Sequence, residues 1–201
     1  MLMPPIRVAD LSDLAEIRLG QVFRTGIEET KHGSVRLVQT RDVKEGAEPV
    51  WENLARIEDP LPAKSAWLQA GDVLLTCRGE NLCAICLTKV PGPTLCTQHL
   101  FIIRPDPVKI RPAFLAWQLN QAPAQAYFAR LSEGSNQQSI RRSLLDQTPI
   151  RVPTLEAQTQ IIALYESAYR EISALSQLIQ LRKQEMAAVA QKILNLQSTP
   201  S

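Results

Sequence analysis

Cys77, Cys83, Cys86 and Cys96 are the four thiols of this chain, and the middle two form a Cys-x-x-Cys pair in "CAIC". Four thiolates near one another can hold zinc tetrahedrally, so a structural zinc site is one chemistry to weigh. The local context favours another. Cys83 to Leu87 is an apolar run of strand type, where consecutive side chains point to opposite faces, and no Gly or Pro lies between the pair to make a zinc knuckle. Buried free thiols are the expectation. His32 and His99 are far apart and neither lies in a metal-ligand spacing. "DVK" at 42–44 and "PD" at 105–106 have the residue types of a metal-dependent nuclease, but in the wrong order, and "DVK" falls in a turn. A nucleophile elbow, a phosphate-binding glycine loop and a dinucleotide fingerprint are all missing. So is an Asp or Asn followed by two prolines and an aromatic, the grip that amino-methyltransferases use on an extruded base. The expectation is a chain with no catalytic residues, no metal and no cofactor.

Two polar stretches carry a different chemistry. "RGEN" (78–81) sets Arg78 and Asn81 in a tight turn between apolar strands. "GSNQQSIRR" (134–142) gathers Ser135, Asn136, Gln137, Gln138, Arg141 and Arg142. Asn and Gln can pair bidentately with adenine and Arg with guanine, so these side chains suit base edges. They are equally the residues that ordinary solvated turns prefer, and composition alone leaves both readings open.

The elements that would position these loops fall into two regions. Residues 1–153 read as mixed α and β. "DLAEIRLGQVF" (13–23) opens as a short helix or turn and continues as a strand. "SVRLVQTRDV" (34–43) is a strand ending in a charged turn at Arg41. "AGDVLLTCRG" (70–79) is a turn, a strand and a second turn, with "LCAICLTKV" (82–90) as its hairpin partner. "TQHLFIIRP" (97–105) is a further strand stopped by prolines. "RPAFLAWQLNQAPAQAYFARL" (111–131) changes to a helical period, interrupted near Pro123, and Ile150 to Pro153 ends a strand.

From Leu155 to Thr199 there is no Pro or Gly, and apolar residues recur at alternating spacings of four and three. The series Ile161, Tyr165, Ala168, Ile172, Leu175, Ile179, Met186, Val189, Ile193 and Leu196 is a heptad seam over about five heptads, broken by Arg182. The boundaries expected are 1–153 for the body, 154–197 for a long helix and 198–201 for a disordered tail. A lone helix would leave such a seam wet, and no other segment of this chain is long enough to cover it. An intermolecular coiled coil, with a homodimer as its simplest form, is favoured over folding back on the body. The overall class is α+β: a mixed α/β body followed by one long C-terminal coiled-coil helix.

Composition adds bounds rather than a function. The chain has 201 residues, 45% hydrophobic and 21% charged, as in a globular protein. No apolar run approaches the roughly 20 residues of a membrane helix, and the N-terminus has no signal-peptide pattern, so a cytoplasmic protein is expected. A formal net charge of +2 neither requires nor excludes a nucleic-acid partner.

The ordered set of motifs resembles the specificity subunit of type I restriction–modification systems. "VPTLEAQTQI" leading into a long helix is similar to the family's hydrophobic–Pro–x–Leu–Glu–x–Gln–x–x–Ile phrase at the end of a target recognition domain. "LQAGDVLLTCRGE" resembles its Gly-Asp-hydrophobic strand and turn, "VQTRDVKEG" an earlier strand and charged turn, and "FIIRPD…RPAFLAWQLN" the strand and helix that follow. The resemblance spans nearly the whole chain. It implies a target recognition domain at 1–153 and double-stranded DNA as a partner, with Arg41, Arg78, Asn81, Ser135, Asn136, Gln137, Gln138, Arg141 and Arg142 as candidate contacts. It also implies methyltransferase subunits that bring S-adenosylmethionine, with or without a restriction motor subunit that brings ATP hydrolysis. The four cysteines fall where the family has ordinary strand residues.

A full-length specificity subunit has two recognition domains and two long helices packed antiparallel. One of each implies a half-length form that homodimerises through its helix to read two inverted half-sites. Arg182 on the seam would then set register. The reading from another class is a non-enzymatic coiled-coil interaction adaptor without DNA readout.

Overall fold

The structure, a computed structural model, describes residues 6–23, 26–58, 67–79, 82–131 and 138–197, with backbone alone at 138–139 and 196–197. In chain order the elements are β1 (Arg7–Asp10), α1 (Leu11–Leu14), β2 (Ala15–Leu19), β3 (Val35–Val38), β4 (Ala55–Ile57), β5 (Val73–Thr76), β6 (Arg78–Gly79), β7 (Ala84–Cys86), β8 (Thr94–Cys96) and β9 (Leu100–Pro105). Then follow α2 (Pro112–Asn120), α3 (Ala122–Leu131), β10 (Gln138–Ser139), α4 (Arg142–Asp146), β11 (Pro149–Val152) and α5 (Leu155–Gln197). The class is α+β, with a long C-terminal helix. No helix among the described residues is long and apolar enough to cross a membrane.

A four-stranded antiparallel sheet, in the order β2-β9-β5-β7, forms the centre. β5 and β9 are apolar without alternation because both faces are covered, whereas the edge strand β2 alternates. Val73, Leu75, Phe101 and Ile103 face α1, α2, α3 and α4, where Phe114, Leu119 and Phe128 fill the core. Leu74, Leu100 and Ile102 face the opposite way, onto Val38, Trp51, Leu54 and Leu68. A second sheet, β4-β3-β8, covers that side, with β3 antiparallel to β4 and parallel to β8. Two short ladders complete the body: β1 with β11, and β6 with β10.

The Gly-Asp pair before β5 has a structural task. Gly71 takes a φ of +91°, which a side chain would strain, and its N–H reaches Leu87 O at 2.7 Å. Asp72 is 1% exposed and accepts Gln69 N at 2.8 Å, Arg104 Nε at 2.7 Å and Arg104 Nη2 at 2.8 Å. The bidentate pair locks β9 to the turn that opens β5. It also raises the Arg104 pKa, the hydrogen bond to Asp72 being the largest cause.

The junction phrase is equally physical. Thr154 Oγ1 accepts Ala157 N at 3.2 Å, as an N-cap does. Gln158 is completely buried, donates to Pro153 O at 2.9 Å and accepts Arg111 N at 2.8 Å, tying the first turn of α5 to the start of α2. The chain divides into two compact units, Met1–Ile162 and Ala163–Ser201, so the first turns of α5 belong to the body. Ile161 and Ile162 pack on the body's core. In the second unit Ala168, Ile172, Leu175, Ile179, Met186, Val189 and Ile193 are exposed, and Tyr165 is half-buried beside Tyr169. The Leu196 side chain and the tail 198–201 lie outside the described residues.

Candidate nucleic-acid interface

The register of the central sheet decides which loops share one end of it. Leu19 lies opposite Phe101, Leu100 opposite Thr76, and Leu75 opposite Ala84. The ends of β2 and β5 and the starts of β7 and β9 therefore lie at one end of the sheet. Segments 20–23, 77–79, 82–83 and 97–99 all emerge there. Backbone bonds knit them together: Cys77 N to His99 O (2.9 Å), Gly20 N to Leu100 O (2.9 Å) and Gln21 N to Cys96 O (2.7 Å). Gln98 Oε1 accepts Phe23 N at 3.1 Å. Gly20 admits no side chain, because a Cβ would run into the Thr97 and Cys96 carbonyls and the Cys96 sulfur.

The second polar stretch is stitched to the first at this same end. β10 pairs antiparallel with β6, Gln138 opposite Gly79 and Ser139 opposite Arg78. Ile140 N then donates to Cys77 O at 3.1 Å, and the Ile140 side chain is buried in the core. Sequence reasoning treats 134–142 as one loop and Gly79 as a turn. The structure instead makes a short ladder, anchors it with Ile140, and lets Arg142 open α4. The reason is burial: Ile140 and Leu145 are apolar and both enter the core, so the chain between them cannot remain a free loop.

Of the candidate contacts, Gln138 is thus set opposite Gly79, next to Arg78, and Arg141 follows two residues beyond the partner of Arg78; the Arg78 and Arg141 side chains are exposed. Arg142 follows Arg141, but its charge is already shared: Asp146 lies at 3.8 Å. Arg142 also adds to the lowering of the Glu16 carboxyl, an effect due first to a hydrogen bond from Arg18. Arg41 belongs to another element, a 3-10 turn after β3, where it pairs with Glu29 at 3.2 Å. Asn81, Ser135, Asn136 and Gln137 lie outside the described residues, and of Gln138 only the backbone is described.

His99 is the residue that sequence reasoning misses. Weighed there only as a metal ligand, it is exposed on the segment whose carbonyl holds Cys77, one residue from Arg78. Only strand register reveals this. Arg78 and Arg141 offer hydrogen-bond donors and positive charge, and His99 a further hydrogen-bonding ring, where extended backbone is also presented.

None of the four cysteines is in a disulfide. Burial pushes the Cys77 thiol up to about 12 and that of Cys83 up to about 11, and Cys96, completely buried, is raised as well. Cys77 and Cys96 are members of the core rather than ligands facing a common point. Among the described residues no group of three or more His, Cys, Asp and Glu side chains could hold a metal.

The family described as the type I restriction modification DNA specificity domain matches residues 5–183. A search of curated proteins finds no significant match. Among solved structures, the HsdS subunit from Thermoanaerobacter tengcongensis is 21% identical with a TM-score of 0.65, over 97% of this chain and 45% of that one. A chain from a structure on complex assembly and conformational transition of the type I R-M system is 20% identical with a TM-score of 0.68, over 97% of this chain and 46% of that one. The type I restriction-modification system S subunit from M. genitalium is 16% identical with a TM-score of 0.58, over 96% of this chain and 47% of that one. The chain spans a little under half the length of these subunits and shares their fold. With the match covering most of its sequence, the chain belongs to the type I restriction modification DNA specificity domain family.

Proposed function

We propose that residues 1–153 are a target recognition domain that reads one half-site of double-stranded DNA. In this reading α5 pairs two such domains and docks methyltransferase subunits. The observation that carries it, beside family membership, is the convergence of both polar stretches on one end of the central sheet. Among the described residues that end presents Arg78 and His99, with Arg141 just beyond the β10 ladder. Base-edge contacts would come from 78–81 and 135–138, with Arg41, Arg141 and Arg142 as phosphate contacts. The methyl donor and the chemistry on the extruded base would belong to the methyltransferase subunits, and ATP hydrolysis to a motor subunit where one is present. The protein itself would be a recognition component rather than an enzyme, acting in the cytoplasm where its DNA is.

The exposed stripe of α5 supports pairing. Leu164 and Leu178, at helical spacings of three and four from the seam, widen it beyond a strict two-residue repeat. A stripe of that width suits more than one partner helix, consistent with a second copy and a methyltransferase subunit together.

The test is selection from random duplexes by the full chain with its methyltransferase subunits. Enrichment of one motif with inverted halves is expected. Gln137→Ala with Gln138→Ala should weaken binding to that motif more than to random duplex. Equal loss on both would remove this loop as a base reader. No enriched motif would favour the adaptor, in which α5 is the functional element.

A further inference from the structure

The break between α2 and α3 places three polar side chains against the segments that follow the two polar stretches, 82–84 and 144–147. Gln121 leaves the helix, Pro123 sits in the first turn of α3, and the sequence "NQAPAQAY" turns without a glycine. Asn120, the last residue of α2, reads the backbone of Ala84 on both sides. Its Oδ1 accepts Ala84 N at 2.8 Å and its Nδ2 donates to Ala84 O at 2.8 Å. Gln125 Nε2 donates to Leu82 O at 2.8 Å and to Leu119 O at 2.7 Å, so one amide holds the incoming hairpin arm and a carbonyl left over at the end of α2. Across the hairpin, Thr76 N donates to Cys83 O and Cys83 N to Thr76 Oγ1, at 3.0 and 2.9 Å. The arm that returns from segment 80–81 is thus fixed from both sides.

The helix that follows the second stretch is held from the same junction. Tyr127 Oη lies 3.3 Å from Leu144 O and 3.2 Å from Gln147 O, donating to the end of α4, while its ring packs against the core. α4 is the five-residue helix that follows Arg141, and its first carbonyl-paired amides, Leu144 N and Leu145 N, both return to Arg141 O at 3.0 Å. Asn120, Gln125 and Tyr127 are all half-buried.

We propose that Asn120, Gln125 and Tyr127 are positioning residues for base recognition: from one helix junction they fix the hairpin arm 82–84 and the 141–147 segment relative to each other. They set which bases are read without contacting DNA. The inference rests on the recognition reading above. Its physical basis is that a base contact discriminates only if its geometry is held to a fraction of an ångström before binding, whereas phosphate contacts by long Arg side chains tolerate a looser frame.

The test uses the full chain, its methyltransferase subunits, the duplex that selection enriches and a random-sequence duplex of equal length. Asn120→Ala, Gln125→Ala and Tyr127→Phe should each reduce the ratio of the two affinities, by about tenfold for Asn120→Ala, the discrimination that one good base contact supplies. Affinity for random duplex and its salt dependence should stay as they are. Tyr127→Phe keeps the ring and its packing, so it remains informative if Asn120→Ala folds poorly. An unchanged affinity ratio and unchanged enriched motif in all three variants would overturn the positioning role while leaving recognition intact. So would a parallel loss on both duplexes that tracks a lowered Tm, which is what a merely structural role predicts. If the unaltered chain enriches no motif, recognition itself fails and the positioning role with it.

Discussion

Replacing Ile179 by Ala tests whether the seam of α5 is what brings two copies together. Ile179 is 55% exposed, which is the part of its surface that association can still bury. Complete burial of an Ile contributes roughly 1.5–3 kcal/mol, so the available part is worth about 0.8–1.6 kcal/mol. In a two-fold dimer the change occurs twice, giving about 1.6–3.2 kcal/mol and a dissociation constant raised roughly 15- to 200-fold. Sedimentation equilibrium on the full chain measures it directly. Leu181 is the control: it is 61% exposed, more than Ile179, but two positions along a helix places it on a different face. Leu181→Ala should leave the dimer as it is. If Leu181→Ala weakens association and Ile179→Ala does not, the seam has been assigned to the wrong face. If the unaltered chain sediments as a monomer both alone and with methyltransferase subunits, α5 is not a dimer helix.

Within the body, Asp72→Ala leaves Arg104 and Gln69 N without their acceptor, and should destabilise by about 3–5 kcal/mol in urea unfolding. Glu48 accepts from the Thr88 backbone and hydroxyl and from Trp51 Nε1; burial pushes its pKa up, but these bonds outweigh it and leave it lowered from 4.5. A lowered folded-state pKa stabilises above the unfolded value and loses that contribution as pH falls through the folded one. Glu48→Gln should therefore flatten the stability profile below about pH 4.5 and cost most at neutral pH, as read by thermal unfolding across that range. Cys77 and Cys96 should resist a thiol reagent at pH 8 in the native state, and all four cysteines should react in denaturant. Prompt native labelling of Cys96 would show that the second core layer opens.

Continuous apolar runs made the centre legible. "VLLT" and "LFIIRP" are too uniformly apolar for a half-exposed strand, and each is covered on both faces. The helix break at Pro123 and the launch of α5 after Pro153 follow from backbone chemistry that any sequence displays. What could not be read locally is pairing between distant short segments. β3 lies parallel to β8, and β6 and β10 join through two residues each, with no periodicity long enough to detect. The candidate site depends on those pairings. Arg78 and Arg141 are recognisable as polar-loop residues, but the ladder that joins their two stretches, and the place of His99 beside Cys77, come from tertiary register alone. The positioning side chains were hidden for a related reason: Asn120 and Gln125 look like ordinary surface residues at a helix end until the backbone they grip arrives from residues 82–84.

The small net charge then makes a quantitative demand on the recognition reading. Each phosphate neutralised by this chain steepens the dependence of log K on log salt by about 0.9 for duplex DNA. Of the phosphate contacts proposed above, Arg141 has no ion pair among the described residues, while Arg142 and Arg41 are available at the expense of their pairings with Asp146 and Glu29. Two or three such contacts give a slope of about −2 to −3 for each bound copy. This is shallow for a DNA-binding protein, and on the recognition reading it would leave most of the electrostatic attraction of an assembled complex to the methyltransferase subunits. Titrating a labelled duplex against the full chain at several salt concentrations, with and without those subunits, separates the two shares. Arg141→Ala should make the slope about one unit shallower, equally for enriched and random duplex, as a phosphate contact does. A loss confined to the enriched duplex would instead identify that arginine as a base reader. A slope steeper than about −5 for the chain alone would mean that charges elsewhere on the body, rather than these arginines, carry the contact.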